Sequence, residues 1–323
     1  MVIKKVLLSE ASQDAGVELL ESKGFEILKP SENSQEAFEA KLPEAEGIVL
    51  RTNVQMTADA IAKAPNLKVM ARTGAGVDNV DLEAATKRGI LVCNLVGINS
   101  VSVAEHAMSL ILSLGKQLPF YDEAMRKGEW QLRRSKAGME LEGKVLGVAG
   151  IGNIGARVAK MCHDGFGMKV MAFDPYARDK FADTDYVFVD DLEALFAAAD
   201  FVTLHLPSLP ETKGVVNKEL LSVMKPSAYL INTARGDVID EEALATALRQ
   251  KQIAGAGLDV YVEEPPAKNH PFVGLSNVIV TPHVASLTKE VTVKASYGAA
   301  KAIVDYAEGR TPDFVYNKKE LGL

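Results

Sequence analysis

Apolar residues in this chain fall into short runs separated by amphipathic stretches. Between residues 1 and 95 the runs 3–8, 26–28, 47–51, 67–71 and 90–93 are rich in Val, Ile and Leu and predict strands. The intervening stretches 14–23, 35–41, 58–63 and 82–87 place their apolar positions at helical spacing. Gly24 and Gly89 stand where helices stop, and Thr57 stands where one can be capped. Uniformly apolar strands alternating with helices imply a parallel sheet covered on both faces.

The segment 99–114 predicts a helix with a wide apolar face, and 119–130 predicts another. A second alternating set follows. Its strands are expected at 145–149, 170–173, 186–189, 201–205, 228–232, 255–260 and 278–281, and its helices at 153–163, 192–198, 218–223 and 241–250. A long final helix over 289–308 is expected to return to the first set. The expected fold class is α/β, with two doubly wound parallel-sheet domains: residues 1–98 plus 288–323, discontinuous, and residues 99–287. A ligand cleft is expected between them, where the carboxyl ends of the strands open.

The second set opens on KVLGVAGIGNIGARVAKMCHDGFGMKVMAFD, residues 144–174. Gly150, Gly152 and Gly155 follow a strand at G-x-G-x-x-G spacing, a helix follows them, and the next strand ends in Asp174. This is the order of a dinucleotide-binding unit. Gly150 permits the tight turn, Gly152 the close approach of a pyrophosphate, and Gly155 the packing of helix on sheet. The helix start at Asn153 and Ile154 offers N–H groups to the phosphates. The Asp174 carboxylate suits ribose hydroxyls and repels a 2′-phosphate, which favours NAD over NADP; Arg178 nearby pulls the other way.

Composition narrows the field. The 323 residues suffice for two domains. The net charge of −7 disfavours a nucleic-acid footprint, so an anionic substrate must meet local arginines. Cys93 and Cys162 sit in unrelated apolar contexts and suggest neither a disulfide framework nor a metal site. The N-terminus runs directly into a strand pattern without a signal peptide, and the most apolar helix carries Glu105 and His106, so a cytoplasmic protein without membrane contact is expected.

Three clusters at predicted strand ends could carry chemistry. INTARGDVID holds Arg235, whose guanidinium can grip a carboxylate through two parallel hydrogen bonds. GLDVYVEEPP holds Asp259 and Glu264, and VIVTPHVASLT holds His283. Singly, each is more often a surface ion pair, a solvated acid or a structural histidine. Together, beyond a nucleotide fingerprint, they suggest acid–base hydride chemistry.

GVAGIGNIG, HLPSLPETKGVVN, LINTARGDVIDEEAL, GAGLDVYVEEPP and TPHVAS lie in colinear order over nearly the whole chain. Together they resemble the D-isomer-specific 2-hydroxyacid dehydrogenases. The resemblance implies a Rossmann NAD-binding domain, a flavodoxin-like substrate domain, a dimer, and NAD-dependent interconversion of a 2-hydroxy acid and its 2-keto acid. It places the family's catalytic residues on Arg235, Glu264 and His283. It places cofactor contacts on the glycine turn with Asn153 and Ile154, and on Asp174, Leu206, Pro207, Thr233, Ala234 and Asp259, with Asp259 at the nicotinamide end. The 99–130 segment is the expected twofold contact.

Within the family, ARTGAGVDNVDLEAATKRGILV most resembles the phosphoglycerate dehydrogenase branch. That implies phosphate recognition by Arg51 and Arg72, backbone N–H groups of Gly74, Ala75 and Gly76 offered to the substrate carboxylate, and a place in serine biosynthesis. The sequence ends at Leu323 without a serine-sensing ACT domain, so serine feedback is not expected. Reduction of glyoxylate or hydroxypyruvate, or turnover of another anionic hydroxy acid, stays open. So does an NAD(H)-sensing binding protein of the corepressor kind, which needs no Arg–Glu–His set.

Overall fold

A computed structural model of the chain describes residues 3–10 and 14–323. It divides into two compact units, Met1–Asn99 with Leu287–Leu323, and Ser100–Ser286.

In the first unit the elements run β1 (Lys5–Leu8), α1 (Asp14–Ser22), β2 (Glu26–Leu28), α2 (Gln35–Glu39), β3 (Gly47–Leu50), α3 (Ala58–Ala62), β4 (Val69–Arg72), α4 (Leu82–Lys87) and β5 (Leu91–Cys93). The strands form a parallel sheet in the order β2-β1-β3-β4-β5, the flavodoxin-like arrangement. β3 and β4 are buried along their whole length, which is why they read as unbroken apolar runs. Thr57 caps α3 by accepting from Ala60 N at 3.2 Å, and Gly24 and Gly89 end their helices at φ +77° and +69°. The helix Lys289–Ala307 covers one face, burying Ala299, Ala300, Ile303 and Val304 against Ile3, Val6 and Val69. α1 lies so close to it that a Cβ on Gly16 would meet Ser296 Oγ.

The second unit runs α5 (Ser100–Gly115), α6 (Leu118–Arg126), β6 (Val145–Ala149), α7 (Gly155–Lys160), β7 (Lys169–Phe173), β8 (Val187–Phe188), α8 (Leu192–Ala198), β9 (Phe201–Leu204), α9 (Lys218–Ser222), β10 (Tyr229–Asn232), α10 (Glu241–Arg249), β11 (Gly255–Leu258) and β12 (Val278–Val280). Its parallel sheet has the order β12-β11-β10-β9-β6-β7-β8, and the order reverses between β9 and β6. Alternate strand residues feed two cores. Leu230 joins Phe196, Leu204 and Leu244 on one face, while Ile231 joins Ile111, Val148 and Phe201 on the other. α5 presses on β11 at Gly257, where a Cβ would sit 3.0 Å from the Leu110 side chain.

Two helices differ from the sequence expectation. The helix expected over 119–130 stops at Arg126, because Gly128 turns the chain at φ +74° before a 3₁₀ segment at Trp130–Arg134. The helix expected over 153–163 begins as α-helix only at Gly155 and passes into a π-turn at Met161–Gly165. Asn153 therefore lies before the helix. Among the described residues no helix is long and apolar enough to cross a membrane.

Candidate active site

The glycine turn after β6 divides its work. Gly150 has φ +87°, and a Cβ there would lie 2.8 Å from the carbonyl oxygen of His205. A Cβ on Gly155 would lie 2.1 Å from Gly150 O. Both are therefore demanded by the fold itself. Gly152 is different: it is exposed, and a Cβ there would meet nothing within 4 Å. Its bareness answers no need of the protein alone and fits a ligand that must approach the backbone. Ile154, in the cap position of α7, has no side chain that could bond the first-turn N–H groups.

Asp174 lies beside this turn. Its Oδ2 accepts from Ile151 N at 3.0 Å and its Oδ1 from Tyr176 N at 2.9 Å. It lines a pocket of about 470 Å³ with Pro175, Tyr176, Arg178, Val189 and Asp190. Arg178, a cation lining this pocket, is held by the Asp190 carboxylate at 2.6 Å. That pair is exposed and worth little in stability, on the order of 1 kcal/mol at most.

Further along the strand ends lie two buried polar atoms without a hydrogen-bond partner among the described residues, His205 Nδ1 and Thr233 Oγ1. They stand one residue beyond the registered pair Leu204–Asn232 on β9 and β10. His205 Nε2 bonds Thr203 Oγ1 at 3.0 Å, and burial pushes the imidazole down to about 3, so the ring is neutral near pH 7. Leaving buried polar atoms unpaired costs roughly 1–3 kcal/mol each, and a polar ligand over these strand ends would supply partners. Leu206 is buried in the adjoining core, and Pro207 O accepts from Thr212 Oγ1 at 2.6 Å. The bare Gly152, the Asp174 carboxylate and the two orphaned atoms fit a dinucleotide.

Arg235 follows β10. The buried Asn232 shapes its turn: Asn232 Oδ1 accepts from Ala234 N at 3.0 Å, and Asn232 Nδ2 donates to Arg235 O at 2.8 Å. Arg235 Nη1 donates to Ala234 O at 2.7 Å. At Gly236 the chain passes so near Tyr261 that a Cβ would lie 1.9 Å from its carbonyl carbon. Tyr261 in turn donates its N–H to Glu264 Oε1 at 3.0 Å and its hydroxyl to Thr281 O at 2.9 Å. One nearly buried tyrosine thus ties together the segments that carry Arg235, Glu264 and His283.

Glu264 Oε2 lies 2.6 Å from His283 Nδ1. Burial alone would raise the Glu264 carboxyl, but hydrogen bonds from His283 and Tyr261 N, with the charges of His283 and Arg235, outweigh it and hold the group below its ordinary range. His283 is raised, chiefly by the Glu264 bond, against burial and against the Arg235 charge. Arg235 thus acts on both partners, so the three residues share one electrostatic site. An ionised carboxylate only accepts, so Nδ1 carries the hydrogen and Nε2 is left to exchange a proton with a substrate.

His283 is held in the left-handed region at φ +51°, a conformation that costs a non-glycine residue about 1 kcal/mol or more. Asp259 offsets it. This fully buried carboxylate accepts from Val284 N at 2.9 Å, Ala285 N at 2.8 Å and Thr281 Oγ1 at 2.5 Å, and Asp259 O accepts from His283 N at 2.8 Å. Its carboxylate thus holds the loop that aims His283. Sequence reading passed over Asn232, Tyr261 and Thr281. Their only signal is a hydrogen-bonding side chain within a few residues of each candidate.

In the first unit, Arg51 Nε pairs with Glu10 at 2.6 Å. Arg72 is buried and donates from Nε to Gly76 O at 2.9 Å and from Nη1 to Leu50 O at 3.2 Å. The carbonyls of Gly74 and Ala75 accept from Leu95 N at 2.9 Å and Asn94 Nδ2 at 2.7 Å. Leu95 N, Asn94 and Arg72 thereby engage the carbonyls of Gly74, Ala75 and Gly76 in turn, while the N–H groups of those three residues bond no acceptor among the described residues.

A doubly wound sheet with such a turn, and with a carboxylate-paired imidazole beside an arginine, fits a dinucleotide-dependent acid–base site. The sequence profile described as D-isomer specific 2-hydroxyacid dehydrogenase, NAD binding domain, matches residues 108–285. The chain belongs to the D-isomer specific 2-hydroxyacid dehydrogenase family, and this unit is its NAD-binding domain. It is 40% identical over 318 residues to the D-3-phosphoglycerate dehydrogenase of Methanocaldococcus jannaschii, covering 98% of this chain and 60% of that protein. It is 38% identical over 305 residues to that of Archaeoglobus fulgidus, covering 94% and 58%. The chain thus spans about three fifths of the length of these relatives. The structure of D-lactate dehydrogenase from Aquifex aeolicus, complexed with NAD and lactic acid, superposes with a TM-score of 0.86 at 30% identity, covering 95% of this chain and 96% of that one.

Proposed function

We propose that the protein is an NAD-dependent oxidoreductase that interconverts a D-2-hydroxy acid and its 2-keto acid, with D-3-phosphoglycerate and 3-phosphohydroxypyruvate as the substrate pair. The 2.6 Å bond between Glu264 and His283 carries the reading, because it leaves Nε2 as the atom for proton exchange. Arg235 grips the substrate carboxylate and orients the adjacent carbon. In oxidation, neutral His283 takes the hydroxyl proton; in reduction, protonated His283 returns one to the keto oxygen. Glu264 stabilises the charged ring and fixes its tautomer. Bound NAD supplies the hydride acceptor, and its reduced form the donor. Gly150, Gly152, Asn153, Ile154 and Gly155 hold its phosphates, Asp174 its ribose, and Leu206, Pro207, Thr233 and Ala234 the remainder.

The choice of substrate draws on the two phosphoglycerate dehydrogenase relatives and on the first unit. There Arg51, Arg72 and the N–H groups of Gly74, Ala75 and Gly76 gather at strand ends as groups suited to an anion. Lactate bound in the related lactate dehydrogenase supports the wider class of small 2-hydroxy acids. Measuring kcat/KM for 3-phosphoglycerate, hydroxypyruvate and glyoxylate decides between them. Preference for the phosphorylated acid, lost in Arg72→Ala far more than glyoxylate turnover, supports the assignment. Equal losses reject a phosphate role. NAD binding without turnover of any keto acid would point to a sensing protein. Val101, Leu118, Met125 and Trp130 are each about half exposed; we infer that this segment forms the contact of a homodimer, which sedimentation would detect.

A further inference from the structure

A second histidine is connected to the loop that carries His283. His106 lies in α5, and its Nε2 stands 3.0 Å from Thr281 Oγ1 and 3.6 Å from Asp259 Oδ1. Thr281 Oγ1 is itself 2.5 Å from Asp259 Oδ1. Both oxygens of Asp259 accept backbone N–H groups, Oδ1 from Val284 and Oδ2 from Ala285, so the carboxylate is an acceptor here. A hydroxyl has a single hydrogen to give. Thr281 gives it to Asp259, so the contact with His106 can only be one in which Thr281 accepts. His106 must therefore carry its hydrogen on Nε2, a tautomer fixed by its neighbours rather than by its own surroundings.

We propose that His106 is a positioning residue for the acid–base histidine. Its Nε2–H holds the one Thr281 rotamer that completes the coordination of Asp259, and Asp259 holds the loop 281–285 in the backbone conformation that aims His283. The chain of bonds runs from α5 through Thr281 and the Asp259 carboxylate to the N–H groups of Val284 and Ala285, the two residues that follow that ring. The inference rests on the reading of His283 as the proton-exchange group, and it adds a requirement that reading does not contain: α5 must keep its place for the imidazole to keep its aim. Without His106 the Thr281 hydroxyl loses the donor that fixes its rotamer, and its bond to Asp259 is held less firmly. Small misplacements of a catalytic group are felt strongly in the rate and weakly in cofactor binding.

The test uses the full chain and the best substrate found among 3-phosphoglycerate, hydroxypyruvate and glyoxylate. His106→Ala should lower kcat by about tenfold to a hundredfold while the KM for NAD stays within about twofold. His106→Gln should recover most of the loss, because its amide nitrogen replaces Nε2 as a donor. Thr281→Val should match His106→Ala, and the double variant should be no slower than either, since both cut one link. Losses that multiply, a Gln variant as slow as the Ala variant, or wild-type kcat in His106→Ala would each overturn the proposal. His283→Ala is the control. If it retains normal turnover, the active-site reading itself fails; if it is inactive while His106→Ala is normal, only the positioning role fails.

Discussion

His283 and Glu264 are 19 residues apart in the chain and 2.6 Å apart in space, Nδ1 to Oε2. The bond raises the imidazole and holds the carboxyl low. Oxidation of a hydroxy acid needs the neutral ring, so kcat/KM in that direction should rise with pH through the raised His283 value, and reduction should fall through it. In Glu264→Gln the imidazole loses its largest raising influence. Both limbs should move to lower pH, and kcat should fall about tenfold or more. Profiles that keep their midpoints would show that Glu264 does not set the protonation of His283.

The same pair contributes to stability over a bounded range. A raised histidine adds stability below its ordinary 6.5 and loses it as pH rises through the folded value. A lowered glutamate adds stability above its ordinary 4.5 and loses it as pH falls through the folded value. The destabilisation by Glu264→Gln should therefore be largest between those two values. Urea denaturation at pH 5.5 and pH 9 checks this; a larger effect at pH 9 would contradict it. Both side chains are partly solvated, so the effect should be modest.

Arg235→Lys should raise the KM for the hydroxy acid by about tenfold to a hundredfold, the value of one lost charge-assisted hydrogen bond. The KM for NAD should change little. An unchanged substrate KM would remove carboxylate anchoring from this residue.

Gly152 and Gly155 should separate folding from binding. Gly155→Ala must displace the Gly150 backbone and should cost about 2 kcal/mol or more in stability. Gly152→Ala meets open space, so its melting temperature should match wild type while the Kd for NAD rises about tenfold or more. A Gly152→Ala protein that binds NAD normally, by calorimetry, would show that the bare turn has another purpose.

Cys93 and Cys162 are buried, and burial pushes both thiols up to about 12. The native protein should be inert to thiol reagents at pH 8 and release two equivalents on unfolding in guanidinium. Prompt reaction of either cysteine in the native state would contradict the packing around it.

The sequence by itself determined the alternation of buried strands and helices, because uniform apolar runs such as 47–50 and 145–149 have no other stable environment than a sheet covered on both faces. It also determined the glycine turn, since the clash of any Cβ at Gly150 or Gly155 is a local matter of main chain against main chain. It brought Arg235, Glu264 and His283 to notice as strand-end polar residues. The tertiary structure decided the rest. The π-turn after Lys160 depends on packing rather than on spacing. The commitment of Asp259 to the 281–285 loop and of Arg72 to the carbonyl of Leu50 arises between segments remote in the chain, as does the linkage of His106 to Thr281. A hydrogen bond takes its meaning from the atom at its other end, and no periodicity in a sequence names that atom.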